Sequence, residues 1–210
     1  MKSNKFFWMI IIASFLATLA IYPALPDMIP LHWNFRGQVD RIGGKTSIFI
    51  TALLPAALYL LMLVVPKIDP KKENYLKHAK AYGTITFSIV VLMVFIHWVS
   101  ILAALGIIKD VGFIVKMSVG VLFIILGNVM PKLKFNYFAG IRTPWTLSNE
   151  EVWKKTHRIG GICFVALGAL MIVLSFFQGL VNFIIFMAGT LALMVFTFVY
   201  SYLEYRKIIK

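Results

Sequence analysis

Six apolar runs dominate the sequence, and each reaches or approaches the roughly 20 residues that an α-helix needs to cross about 30 Å of hydrocarbon. The first is Phe6 to Ala24 and the second Thr46 to Val65; the third, Tyr82 to Ile108, carries His97 as its only readily titratable side chain away from its ends. The fourth runs from about Gly112 to Met130, the fifth from Ile159 to Phe177 and the sixth from Leu180 to about Leu203. None alternates polar and apolar residues cleanly, which excludes the short alternating strands of an outer-membrane barrel. With 60 % hydrophobic and 14 % charged residues, the chain cannot cover itself with polar surface in water. The pattern predicts an all-α integral membrane protein with six transmembrane helices.

Charge sets the expected orientation. Lys2 and Lys5 precede the first span; Lys67, Lys71, Lys72, Lys77 and Lys80 lie between the second and third; Lys132, Lys134, Arg142, Lys154, Lys155 and Arg158 lie between the fourth and fifth; Arg206, Lys207 and Lys210 follow the sixth. Arg36, Arg41, Lys45 and Lys109 fall on the opposite side, and the turn Gln178 to Leu180 has no basic residue. Sixteen against four is a strong positive-inside bias, and it requires an even number of spans. Both termini are therefore expected to be cytoplasmic, in a multi-pass protein of the cytoplasmic membrane. A basic inner face also suits anionic membrane lipids, so the net charge of +13 needs no nucleic acid partner, and no direct nucleic acid binding is expected. "MKSNK" followed by "ATLA" has the makings of a cleavable leader, but the apolar run continues through Ile21 and Tyr22.

The chain divides into a two-helix unit over 1–66, a linker with the third span over 67–111, and a region of three spans over 112–210. The first unit contains the long external loop, "LPDMIPLHWNFRGQVDRIGGK". Pro26 and Pro30 push their predecessors to extended backbone, and Asn34 with Gly37 suit the ends of a type I turn. Gly43 and Gly44 are expected to reverse the chain. Leu31, Trp33 and Phe35 belong at headgroup depth. His32, Asp27 and Asp40 could in principle approach a metal, but they have no ligand spacing, and neither metal nor cofactor is expected. The single cysteine, Cys163, rules out an intramolecular disulfide and a cysteine zinc cluster.

The inner segment 131–158 reads as an irregular stretch through Gly140 and Pro144, then a helix. Ser148 is the expected N-cap with Glu151 at N3, Leu147 and Val152 in the staple positions, and Glu151 four residues before Lys155. Trp153 and His157 fall one turn apart and should stack; basic flanks with Trp145 and Trp153 point to the membrane interface. Within the spans, His97 and Asn128 need polar partners, Lys116 should snorkel to the outer headgroups, and Gly120, Gly127, Gly160, Gly161, Gly168 and Gly189 permit close helix contact. No H-E-x-x-H, G-x-S-x-G or phosphate-binding glycine loop is present, so no catalytic residue is assigned.

The external stretch resembles an N-terminal domain of unknown function found in Gram-positive membrane proteins. "NYFAGIRTPWTLSNEEVWKKTHRIGG", followed by two spans, resembles the SdpI family of bacterial immunity proteins. The resemblance implies a noncatalytic membrane immunity protein that gives resistance to a secreted membrane-active toxin peptide, and a receptor role in which a cytoplasmic transcriptional repressor is held at the membrane. Carried over, the toxin-recognition candidates are Pro26, Pro30, His32, Trp33, Asn34, Gly37 and Asp40. The cytoplasmic signalling or structural motif comprises Gly140, Arg142, Thr143, Pro144, Trp145, Ser148, Trp153, His157 and Arg158. Two alternatives are a small transporter or exporter working through His97, and a membrane enzyme acting on lipid or peptide through His32 or Asp40.

Overall fold

The computed structural model describes residues 5–177 and 179–209; Lys2, Gln178 and Lys210 of the loop reading lie outside them. In chain order the elements are helix α1 (Lys5–Ile21), strands β1 (Met28–Trp33) and β2 (Val39–Gly44), and helix α2 (Ile48–Ile68). A short α3 (Asn74–Lys77) precedes α4 (Ala79–Ala104) and α5 (Val111–Val129). A short α6 (Pro144–Ser148) is followed by α7 (Glu150–Ser175) and α8 (Leu180–Ile208). Among the described residues, the six long helices α1, α2, α4, α5, α7 and α8 are each long and apolar enough to cross a membrane. The chain is a multi-pass membrane protein.

The loops sort to two ends of the bundle. At one end the 69–78 and 133–138 segments are tied together: Asn74 Nδ2 donates to the Phe135 carbonyl at 2.8 Å and the Tyr137 N–H to Asp69 Oδ2 at 2.9 Å. At the other, the 34–37 turn reaches the start of α5, where a Cβ on Gly112 would lie 3.4 Å from Gly37 Cα.

The expectation of an all-α chain is corrected by the loop between α1 and α2, which is an antiparallel hairpin. Ile29, Leu31 and Trp33 face inward while His32 is exposed, a period of two that suits a half-buried strand. The Asn34 to Gly37 turn closes it as expected. The Gly37 N–H donates to the Asn34 carbonyl at 2.8 Å, Asn34 Oδ1 accepts from Arg36 N at 2.8 Å, and Gly37 has φ +76°. Gly43 and Gly44 do not reverse the chain; they pair with Ile29 and Met28, because the reversal has already been made at the turn. The hairpin root is tied by an Asp27–Lys45 ion pair of 2.9 Å and by the Lys45 N–H donating to the Asp27 carbonyl. Leu25 and Ile29 then bury against Ile48 of α2 and Ile101 of α4.

Helices α5 and α7 run antiparallel with their backbones in contact at two levels. A Cβ on Gly127 would lie 2.5 Å from the Gly161 carbonyl oxygen, and one on Gly161 would lie 2.6 Å from that of Gly127. Two turns away, a Cβ on Gly168 would lie 2.6 Å from the Gly120 carbonyl oxygen, and one on Gly120 would lie 2.9 Å from that of Gly168. Lipid offers no hydrophobic drive between helices, so such close approach is a main source of their association.

Helix α7 is continuous, joining the inner helix to the fifth span. Its N-cap is Asn149 rather than Ser148: Asn149 Oδ1 accepts from Glu151 N at 2.8 Å and Val152 N at 3.2 Å. Ser148 is already spent in α6, which Thr143 opens with a Thr143–Thr146 capping box, and its Oγ donates to the Trp145 carbonyl at 3.0 Å. The Glu151–Lys155 pair forms at 3.0 Å.

Two glycine substitutions should move stability in opposite directions in thermal unfolding of the detergent-purified protein. Gly127→Ala, which drives a methyl into the α7 backbone, should destabilise by about 1–3 kcal/mol. Gly83→Ala in α4, where nothing lies within 4 Å, should stabilise by roughly 0.5–1 kcal/mol.

Candidate functional site

The hairpin tip roofs a cavity of about 430 Å³ walled by α5, α7 and α8. Its lining is mainly apolar, with Leu31 and Trp33 from β1, Val115 and Val119 from α5, Met171 and Leu174 from α7, and Phe183 and Phe186 from α8. The roof is held at its far side by Phe35, whose ring lies 5.9 Å from that of Phe183. The volume falls in the range of roughly 300–1,000 Å³ found in small-ligand sites.

Of the outer candidates, His32, Trp33, Asn34 and Gly37 line this cavity, whereas Pro26, Pro30 and Asp40 do not. Pro26 is exposed ahead of β1, and Pro30 sits within it opposite Ile42. His32 Nδ1 and Asp40 Oδ1 meet at 2.6 Å on the exposed side of the hairpin, while Asp27 is engaged by Lys45. Lys116 does not simply extend outward: its Nζ donates to the Phe177 carbonyl at 2.9 Å and it lines the cavity. Lys116, Asn182 and Phe183 were missed as site residues because two helices distant in sequence, α5 and α8, bring them together.

The motif at the opposite end folds inward. Trp153 and His157 stack as expected, with ring centroids 3.9 Å apart, and both are buried within the protein. The Trp153 indole N–H donates to the Leu133 carbonyl at 2.9 Å, the partner that a buried indole needs. His157 Nδ1 lies 2.8 Å from the Trp153 carbonyl and must donate to it, while Nε2 accepts from the Ile141 N–H at 3.0 Å. These partners select the neutral Nδ1–H tautomer. Gly140, at φ +115°, is required where it stands, because a Cβ there would overlap the His157 ring.

Thr143 and Thr146 cap each other, and Thr143 Oγ1 also bonds Ser201 Oγ of α8 at 2.9 Å. Trp145 packs edge-on to Phe198 at 4.8 Å. Arg142, Pro144, Ser148 and Arg158 remain exposed, with Arg142 Nη1 donating to the Tyr137 carbonyl at 2.8 Å.

Sequence reasoning missed the polar residues on which this face is built. Asn136 is fully buried and accepts from Phe138 N at 3.0 Å and Ala139 N at 2.6 Å while donating to the Lys134 and Ala139 carbonyls. Buried Asp69 accepts from the Lys71 and Tyr137 N–H groups and from the Tyr75 hydroxyl at 3.0 Å. Burial, reinforced by the bond to Asp69, raises the Tyr75 pKa and keeps the phenol a donor. Glu204 of α8, also buried, joins Lys155 of α7 at 3.1 Å and Lys207 at 2.6 Å. A lone acid beside basic residues was the available signal at Glu204.

Within the spans, His97 has the partners its burial demands. Its ring lies 2.8 Å from Thr18 Oγ1 of α1 and 2.9 Å from Thr51 Oγ1 of α2. Asn128 bonds within its own helix, to the Ile124 carbonyl at 2.9 Å.

Residues 132–201, which include the buried motif, match the SdpI/YfhL protein family. Residues 9–55, which include the whole hairpin, match a domain of unknown function (DUF1648). Over almost its entire length the chain is similar to the immunity protein SdpI of Bacillus subtilis (strain 168), at 29 % identity over 208 residues, covering 99 % of this chain and 98 % of the relative. No solved structure matches the chain. The cavity thus lies between the hairpin of the first matched region and helices α7 and α8, which supply most of the SdpI-type region.

His78 makes the SdpI-type face sensitive to acid. Its ring is buried beside Tyr75, and Nδ1 accepts from the Lys134 N–H at 3.1 Å. Burial first, and the Lys134 charge second, lower its pKa from 6.5. A base with a lowered folded-state pKa contributes fully above its unfolded value and loses that contribution as pH falls. Melting temperature in detergent should therefore drop below about pH 6.5. His78→Gln, which keeps an acceptor for Lys134 without titrating, should flatten that drop.

Proposed function

We propose that the protein is a noncatalytic immunity protein of the cytoplasmic membrane, giving resistance to a secreted membrane-active peptide that it binds at the hairpin and the cavity beneath. Both termini are placed in the cytoplasm and the hairpin outside, a reading supported by the sixteen-to-four distribution of basic residues. The observation that carries the proposal is the cavity: an apolar chamber roofed by Trp33 and its turn suits an apolar peptide segment arriving from the outer membrane face. Similarity over the whole chain to a relative named as an immunity protein supports the same reading.

The inner motif is assigned two roles by burial. Trp153, His157, Thr143 and Gly140 hold the face together, while exposed Arg142 and Arg158 offer cationic groups to a cytoplasmic repressor. Toxin binding couples to repressor capture only if the peptide has different affinity for two arrangements of this chain.

Expression in a peptide-sensitive Gram-positive host should raise survival against a secreted membrane-active peptide. Combined Trp33→Ala and His32→Ala should abolish that protection at unchanged membrane abundance; survival of the doubly substituted strain would place recognition elsewhere. Replacing Arg142 and Arg158 together by Gln should weaken recruitment of the repressor and leave survival mostly intact. Equal loss of both properties would make these arginines structural.

A further inference from the structure

Lys116 is the single lysine, arginine or carboxylate residue among the described residues that line the cavity. Its ammonium spends one of three donors on the Phe177 carbonyl, and it pairs with no carboxylate among the described residues. A cation within a span normally finds a counter-charge or water, since leaving it without either is costly in hydrocarbon. The walls around it, Val115, Val119, Phe183 and Phe186, offer no anion. The cavity therefore presents one positive charge at an apolar chamber.

We propose that the cavity binds an apolar chain that ends in a carboxylate, with the carboxylate on Lys116 Nζ and the chain against the α5 and α8 walls. The proposal rests on the hairpin cavity being the recognition site and adds the chemistry of its ligand: the free C-terminal carboxylate of an apolar peptide. One ammonium matches one carboxylate charge, whereas phosphate recognition commonly recruits arginines that bind it through two parallel bonds. Asn182, also in the lining, supplies a neutral amide for the adjoining peptide groups. A fatty acid carries the same chemistry and is the other source of such a ligand.

The test uses the full chain purified in detergent and fluorescence anisotropy with labelled probes. These are an apolar tetrapeptide, Phe-Leu-Ile-Val, with a free C-terminus; the same peptide as its C-terminal amide; and oleate beside oleyl alcohol. The free acid should bind about tenfold or more tightly than the amide. Lys116→Gln should erase that preference and Lys116→Arg should keep it. Gln retains an N–H for the Phe177 carbonyl, and unchanged melting temperature identifies a folded variant. Equal binding of acid and amide, or a preference that persists in Lys116→Gln, overturns the carboxylate assignment while leaving toxin recognition standing. Lys116-dependent binding of oleate without binding of either peptide upholds the assignment, names a fatty acid as its source and counts against the peptide reading. Absence of binding by every probe overturns the proposal.

Discussion

Helices α5 and α7 approach each other closely at four glycines, and the rest of the molecule is arranged around that contact. Glycine at 120, 127, 161 and 168 lets each backbone meet the other's carbonyl oxygens at two levels. In lipid, where apolar surface gains nothing by leaving its surroundings, such van der Waals approach substitutes for the hydrophobic effect. The same device recurs at each end. Gly112 lets the hairpin turn rest on α5, and Gly160, adjacent to Gly161, leaves room for Ile141 of the inner motif. One seam of small residues thereby sets where the hairpin sits above the cavity and where the motif sits against α7.

Polar groups complete the assembly because hydrocarbon leaves them no water. His97 joins α1 and α2 to α4 through Thr18 and Thr51. Asp69 and Asn136 satisfy the N–H groups of an irregular segment that has no helix or sheet to do so. His157 accepts the Ile141 N–H just after Gly140. In a motif dense in Trp, His, Thr and Arg, which on a soluble chain would suggest a surface, Thr143, Trp153 and His157 are buried. Gly140, Arg142, Pro144, Ser148 and Arg158 stay exposed, and Arg142 and Arg158 are the cationic groups among them.

The cavity has a different origin, because no element contains it. The hairpin gives the roof, α5 gives Lys116 and the valine wall, and α8 gives the aromatic wall. The proposed recognition of an apolar peptide and of its carboxylate end both draw on this convergence of one charge with many apolar groups. The His32–Asp40 pair lies on the exposed side of the hairpin, with His32 also at the edge of the cavity.

The apolar runs were long enough to state the six spans, and the basic residues clustered enough to sort the loops into two groups, because hydrocarbon thickness and lysine placement act on the chain locally. The Asn34 to Gly37 turn and the stacking of Trp153 on His157 were legible for the same reason, being settled within four residues. The pairing of Ile29 with Gly43, the choice of Asn149 over Ser148 as cap, the burial of Trp153 and the entry of Lys116 into a chamber were not. Each depends on groups distant in the sequence or on a competing neighbour already committed to another helix, so it was decided when distant segments met and not by any stretch of chain read alone.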